Sequence, residues 1–169
     1  MAAETAPAPL AVSCGDPSGI GPELAAKIAA EGGHPPFVWI GDPRHLPPGT
    51  TWQALEHPAQ QTAPGTLGVL PLPFAAEATP GTPVLANAAG TISAIERAVA
   101  LVQNGDCSAL VTAPINKKVL KDGAGFAFPG HTEFLAHLGG DCPAVMMLAC
   151  PGLQVALVTT HIPLAYVSK

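Results

Sequence analysis

Short apolar runs alternate along this chain with longer stretches in which apolar residues recur every third or fourth position, the pattern of strands alternating with helices. Leu10 to Ser13 is a short apolar run entering a Gly/Pro-rich turn, and Pro22-Glu-Leu-Ala-Ala-Lys-Ile-Ala-Ala is helical by propensity. Pro22 suits a first helical position, Glu23 complements the helix dipole, and Gly32 ends the helix. Phe37 to Ile40 reads as a second buried strand, closed by Gly41-Asp42-Pro43. Between Pro47 and Pro83, prolines recur among Gly, Thr and Gln at a density that forbids long helices and central strands. Irregular surface-crossing chain is expected there, with one short strand near Leu67 to Leu70.

The periodic signal returns at Ala86 to Gln103, a long helix with Ile92, Ile95, Val99 and Val102 on one face, ended by Asn104-Gly105. Ala109 to Thr112 is a strand, Ile115 to Lys121 a short helix, and Gly130 opens another short helix that Gly139-Gly140 ends. Ala144 to Ala149 and Leu153 to Thr160 are apolar runs separated by Cys150-Pro151-Gly152, which predicts a hairpin. Together these elements predict an α/β layered fold with a largely parallel sheet. Pro163 stands where a further helical turn would begin, so the layer reads as truncated.

The 169 residues are 48% hydrophobic and 11% charged, far from the composition of disordered chains. A formal net charge of -5 offers no general attraction for nucleic acid or anionic membrane, so any anion must be held by a local site. The amino terminus lacks the basic segment of a secretory signal, and no run of about 20 uninterrupted apolar residues spans a bilayer. A cytoplasmic location is expected. Cys14, Cys107, Cys142 and Cys150 are widely spaced without a C-x-x-C pair and read as buried, reduced structural thiols rather than nucleophiles.

Four polar segments stand at strand ends or at a helix start. In Cys14-Gly15-Asp16-Pro17-Ser18-Gly19-Ile20-Gly21-Pro22-Glu23, Pro22 and Glu23 occupy the places where a P-loop needs Lys and Ser/Thr. A dinucleotide fingerprint begun at Gly19 and Gly21 meets Leu24 where a small residue is required. What is left is a tight turn aiming Asp16 and Ser18 past the strand end, against an equally plain reading as a structural turn. In Thr112-Ala113-Pro114-Ile115-Asn116-Lys117, Lys117 is a suitable counter-charge for phosphate or carboxylate and Asn116 can donate and accept; Lys118 reads as solvated. In Gly130-His131-Thr132-Glu133-Phe134, a helix start with side-chain donors can bind an oxygen-rich substrate, the bland alternative being a Thr132 cap with a surface His. His137 lies about 240° round an ideal helix from His131, which rejects H-E-x-x-H. His161, in Thr159-Thr160-His161-Ile162-Pro163, could ligate a divalent metal, though one His does not make a site.

Taken in order, G-D-P-S-G-I-G-P-E, T-A-P-I-N-K, G-H-T-E-F-L, V-M-M-L-A and T-T-H-I-P-L are similar to the signature set of the 4-hydroxythreonine-4-phosphate dehydrogenase family. The resemblance implies a three-layer α/β/α fold like that of the isocitrate and isopropylmalate dehydrogenases, present here in its amino-terminal half, with a first unit over 1–127 and the start of a second over 128–169. It implies NAD-dependent (or NADP-dependent) oxidation of a small phosphorylated substrate in pyridoxal phosphate synthesis, one divalent metal ion (Zn, Mg or Co) and a homodimer. Carried over by position, His131 and Thr132 bind substrate, His161 is one of three metal-ligating histidines, and Asp16, Asn116 and Lys117 line the cleft. The other metal histidines, the catalytic residues and most cofactor contacts are expected beyond residue 169, so the chain alone is expected to be inactive or partial. The alternatives are a 4-phospho-D-threonate or erythronate dehydrogenase of the same family, and a non-catalytic module that binds a phosphorylated ligand or dimerises.

Overall fold

A computed structural model of the chain describes residues 8–159 and 162–167, and it divides into two compact units, Met1–Ala127 and Phe128–Lys169. In the first unit β1 (Leu10–Ser13) runs into α1 (Gly21–Glu31), followed by β2 (Phe37–Gly41). Pro22 does stand in the first turn of α1, and the Gly32 N–H closes the helix on the Ile28 carbonyl. Next come β3 (Trp52–Ala54), β4 (Leu67–Pro71), α2 (Ala88–Gln103), β5 (Ala109–Thr112) and α3 (Lys117–Ala124).

All five strands form one parallel sheet in the order β3-β4-β2-β1-β5. Helices lie on both sides of it, α2 against β1, β2 and β5, giving a three-layer α/β unit. Strands covered on both faces are apolar without alternation. Accordingly Val38, Trp39 and Ile40 of β2 and Leu67, Val69 and Leu70 of β4 are all buried.

The proline-rich stretch departs from expectation. It supplies β3, which the pattern did not suggest, and places β4 inside the sheet between β3 and β2. Central pairing is possible because Pro71 closes β4 and the other prolines stand outside the ladder. The irregular chain after β4 is held by polar ties. Asp42, at the end of β2, accepts the Phe74 N–H at 2.9 Å and the Arg44 Nη2 and Nε donors at 2.7 and 3.1 Å. Arg44 Nη2 also donates to the Phe74 carbonyl, Asn87 Oδ1 accepts the Ala76 N–H, and Arg97 Nη1 donates to the Pro71 carbonyl.

The Asp42 side chain is only 5% exposed. Burial alone would raise its pKa, but the Arg44 side chain, the Phe74 and Arg44 N–H groups and the Arg44 charge outweigh it and hold the carboxyl at about 2, against an ordinary 3.8. A depressed folded-state pKa stabilises the fold above the unfolded value and loses that contribution as pH falls through the folded one. The expected loss is about 2 kcal/mol between roughly pH 4 and pH 2. Urea midpoints across that range should fall for the parent chain, and Asp42→Asn should be less stable at neutral pH but show a flatter acid limb. A parent and variant with the same acid slope would contradict this assignment.

The long helix begins two residues later than expected, after a 3-10 turn at Leu85–Asn87, and rests on a different stripe. Ala88, Thr91, Ala94, Ile95 and Ala98 are buried, whereas Ile92, Val99 and Val102 are half-buried. Small side chains let the helix axis approach the sheet closely, so the innermost stripe is the alanine-rich one. The segment Leu85–Gln103 is also long and apolar enough to cross a membrane by composition, but this stripe faces the protein core.

In the second unit α4 (His131–Leu138) precedes an antiparallel hairpin, β6 (Met147–Cys150) and β7 (Leu153–Ala156), each strand shorter than its apolar run. Phe134 is buried, and Phe128 packs on Phe134 and His137 at ring-centroid distances of 5.0 and 5.2 Å. Every residue of β6 and β7 is exposed, Met147, Leu148, Leu153 and Val155 among them. Cys14 and Cys107 are buried as expected, whereas Cys142 and Cys150 are exposed.

Candidate functional site

The glycine-rich turn after β1 is built around its own polar groups. Asp16 Oδ1 accepts the Ser18 N–H at 2.9 Å, and the Asp16 carbonyl accepts the Gly19 N–H. Ser18 Oγ donates to the Thr82 carbonyl at 2.8 Å, while the Ser18 carbonyl accepts the Gly81 N–H. Ser18 is therefore a buried tie to the strap at Thr79–Thr82 and is not aimed beyond the strand, as the sequence had suggested. Asp16 stays half-exposed, its N–H donating to the Pro114 carbonyl at 2.9 Å, which joins the turn after β1 to the loop after β5. Thr91 and Thr82 hold the turn too, Thr91 Oγ1 donating to the Gly15 carbonyl at 3.2 Å. They lie 76 and 64 residues from their partners, so no local pattern announces them.

This turn does not provide a dinucleotide cradle. In such motifs a glycine opens space for a pyrophosphate. Here a Cβ on Gly21 would fall 2.1 Å from the Cys14 carbonyl oxygen and 2.9 Å from Ala113 Cβ, so the missing side chain admits the protein's own backbone. Burial pushes the Cys14 thiol up to about 12, leaving it un-ionised and unreactive at neutral pH.

At the end of β5, Asn116 caps α3, its Oδ1 accepting the Val119 N–H at 3.2 Å. The helix thus begins at Lys117, two residues later than expected. Capping engages the Asn116 oxygen and leaves the amide donors to reach a ligand. Lys117 is exposed on the first turn, and Lys118 is solvated as expected, its ammonium also pairing with Asp122 one turn on. A cation at a helix amino terminus opposes the macrodipole, so helix stability does not account for Lys117.

In the second unit Gly130 is the residue before α4, and no side chain caps the helix start. Thr132 is the second helical residue rather than the cap, exposed beside half-buried His131. The first N–H groups of a helix lack intrahelical acceptors and favour anions. His137 is engaged separately, its Nδ1 lying 2.9 Å from Asp141 Oδ1. His161 lies outside the described residues. Among the described residues no three His, Cys, Asp or Glu side chains gather as a metal site, so the donor set present does not fit a divalent ion by itself. Asp16, Asn116 and Lys117 belong to one unit, and His131 and Thr132 to the other.

Comparison with known proteins supplies the context for these residues. Residues 36–169 match the family described as "Pyridoxal phosphate biosynthetic protein PdxA". The 4-hydroxythreonine-4-phosphate dehydrogenase of Paracoccus denitrificans (strain Pd 1222) is 53% identical over 163 residues, covering 94% of this chain and 50% of that protein. The crystal structure of the enzyme of that name from Klebsiella pneumoniae matches with a TM-score of 0.84 at 35% identity, covering 93% of this chain and 52% of that one. A terephthalate 1,2-cis-dihydrodiol dehydrogenase from Burkholderia xenovorans LB400 matches with a TM-score of 0.68 at 25% identity, covering 92% and 49%. The chain spans about half the length of the curated relatives it matches. On the extent of the family match and the identity to these relatives, the chain belongs to the PdxA family of pyridoxal phosphate biosynthetic proteins.

Proposed function

We propose that this chain supplies the substrate-binding half of an NAD-dependent 4-hydroxythreonine-4-phosphate dehydrogenase. The reaction oxidises the secondary alcohol of 4-phosphooxy-L-threonine to 2-amino-3-oxo-4-phosphooxybutanoate. The hydride passes to NAD and the hydroxyl proton to a base, and the β-keto acid then loses carbon dioxide to give 3-amino-2-oxopropyl phosphate. The observation that carries this reading is the uncapped start of α4, with His131 and Thr132 on it, inside the G-H-T-E-F-L block of a PdxA-family chain. Its N–H groups and side-chain donors suit an oxygen-rich, anionic substrate.

Asp16, Asn116 and Lys117 are proposed as further cleft residues, Lys117 as counter-charge to phosphate or carboxylate. His161 is proposed as one metal ligand. Because the described residues complete neither a metal site nor a dinucleotide cradle, the remaining ligands, the base and the NAD contacts are assigned to a second polypeptide segment. The whole enzyme is proposed to be a cytoplasmic homodimer with the layered architecture of the isocitrate and isopropylmalate dehydrogenases.

Fold alone does not choose the substrate, as the likeness to a dihydrodiol dehydrogenase illustrates. The test joins this chain to the carboxyl-terminal half of the Paracoccus denitrificans relative and compares kcat/KM for 4-phosphooxy-L-threonine and 4-phospho-D-threonate. Preference for the first is expected, with a fall of about a hundredfold for His131→Ala. Preference for the threonate, or a His131→Ala enzyme of parental efficiency, would overturn the assignment.

A further inference from the structure

The buried stripe of α2 is apolar except at one place. Ala88, Ala94, Ile95 and Ala98 have no polar side-chain atom, whereas Thr91, only 2% exposed, carries a hydroxyl. A Thr within a helix ordinarily returns its hydroxyl to the carbonyl four residues back. Thr91 Oγ1 does lie 3.3 Å from the Asn87 carbonyl oxygen, but it lies 3.2 Å from the Gly15 carbonyl oxygen in the turn after β1. One O–H has a single proton to donate to the two. The Asn87 carbonyl, at the start of α2, already accepts the first helical N–H. Among the described residues the Gly15 carbonyl otherwise has only the weak thiol donor of Cys14, at 3.5 Å, so it depends on the hydroxyl more.

That carbonyl belongs to the peptide joining Gly15 to Asp16, and the Asp16 N–H of the same peptide donates to the Pro114 carbonyl at 2.9 Å. Both polar atoms of one planar unit are thus held, from α2 on one side and from the loop after β5 on the other. Such a plane cannot rotate without giving up one of the two bonds. Pro114 stands two residues before Asn116, and the Ala113 N–H, donating to the Ser13 carbonyl at 3.3 Å, keeps the two turns in register. Asp16 remains half-exposed, with Oδ1 engaged by the Ser18 N–H and Oδ2 left for a ligand.

We infer that Thr91 is a positioning residue: its hydroxyl orients the Gly15–Asp16 peptide, and with it Asp16 and the loop leading to Asn116 and Lys117, for the phosphorylated substrate. The inference rests on the proposed function, in which those three side chains line the substrate cleft. Thr91 is buried and acts only through that peptide. The groups it sets hold substrate before and during the reaction alike, so losing the hydroxyl weakens binding and leaves the chemical step nearly untouched.

The test uses the chain joined to the carboxyl-terminal half of the Paracoccus denitrificans relative. Thr91→Val, of nearly the same shape, should raise KM for 4-phosphooxy-L-threonine about tenfold at a kcat within about twofold of the parent. Kd for the same ligand, read by titration calorimetry, should rise in parallel. Thr91→Ser keeps the hydroxyl and should hold KM within about twofold of the parent. Thr91→Ala should repeat the Val result, and it replaces Val should the branched side chain pack badly. Arg97→Met removes a different tie from α2, the Nη1 bond to the Pro71 carbonyl, and should lower the thermal midpoint without moving KM. Parental KM and Kd in Thr91→Val and Thr91→Ala would overturn the inference, as would a Thr91→Ser protein as impaired as Thr91→Val, or an Arg97→Met protein with the same rise in KM. A joined parent that prefers 4-phospho-D-threonate would refute the proposed substrate alone, provided Thr91→Val weakens the threonate by the same factor. A joined parent that binds neither compound would overturn both readings.

Discussion

Gly15→Ala is expected to lower the thermal midpoint of the chain by roughly 6–12 °C, from a loss of about 3 kcal/mol. Gly15 has a φ of +70°, a region in which a Cβ costs about 1–2 kcal/mol by itself. The added methyl would also stand 2.4 Å from the Pro114 carbonyl oxygen and 2.9 Å from the Ala113 carbonyl carbon. Neither can retreat freely. The Asp16 N–H holds the Pro114 carbonyl, and Thr91 Oγ1 holds the carbonyl of Gly15 itself. Gly125→Ala is the control, because Gly125 has a similar φ, +65°, in the left-handed region with nothing within 4 Å of an added Cβ. It should lose only the backbone part, about 1 kcal/mol. Equal shifts for the two variants, read by circular dichroism, would show that the contact with the β5 loop is unimportant.

The contrast between these glycines also shows which parts of the molecule were legible in the sequence. β1, α1, β2, β5 and the α4 start are set by neighbours a few residues away: a short apolar run, Pro22 in a first turn, Gly32 at an end. Such signals survive reading one window at a time. β3 and the central place of β4 do not, because what fixes the chain around them is long-range: Asp42 on Phe74, Asn87 on Ala76, Arg97 on Pro71. The buried stripe of α2 was misread for a related reason. Large apolar residues mark a face that is hydrophobic, but the closest approach to the sheet selects Ala94 and Ala98.

For the candidate site the division is similar. The helix start that carries His131 and Thr132 was readable because a glycine followed by polar donors marks one, and α4 does start there. Asp16 and Ser18 looked alike in sequence, yet one is half-exposed and the other is buried under the Thr79–Thr82 strap. Asn116 proved to be a helix cap as well as a cleft candidate. The dinucleotide fingerprint could be rejected from Leu24 alone, and the packing around Gly21 shows why this turn makes no such cradle.

We propose that these 169 residues carry substrate-binding groups of a dehydrogenase whose remaining groups lie in a second segment. Metal sites of this kind need at least three protein ligands or compensating water, and the described residues gather no such set. The effect of adding such a segment should therefore be the largest of all, close to all-or-none. The most direct measurement is NADH formation from 4-phosphooxy-L-threonine, NAD and a divalent metal ion, with the chain alone and with the chain joined to the carboxyl-terminal half of the Paracoccus denitrificans relative. No NADH above the protein-free rate is expected for the chain alone, and steady turnover, abolished by His161→Ala, for the joined protein. Robust turnover by the 169-residue chain alone would contradict the account.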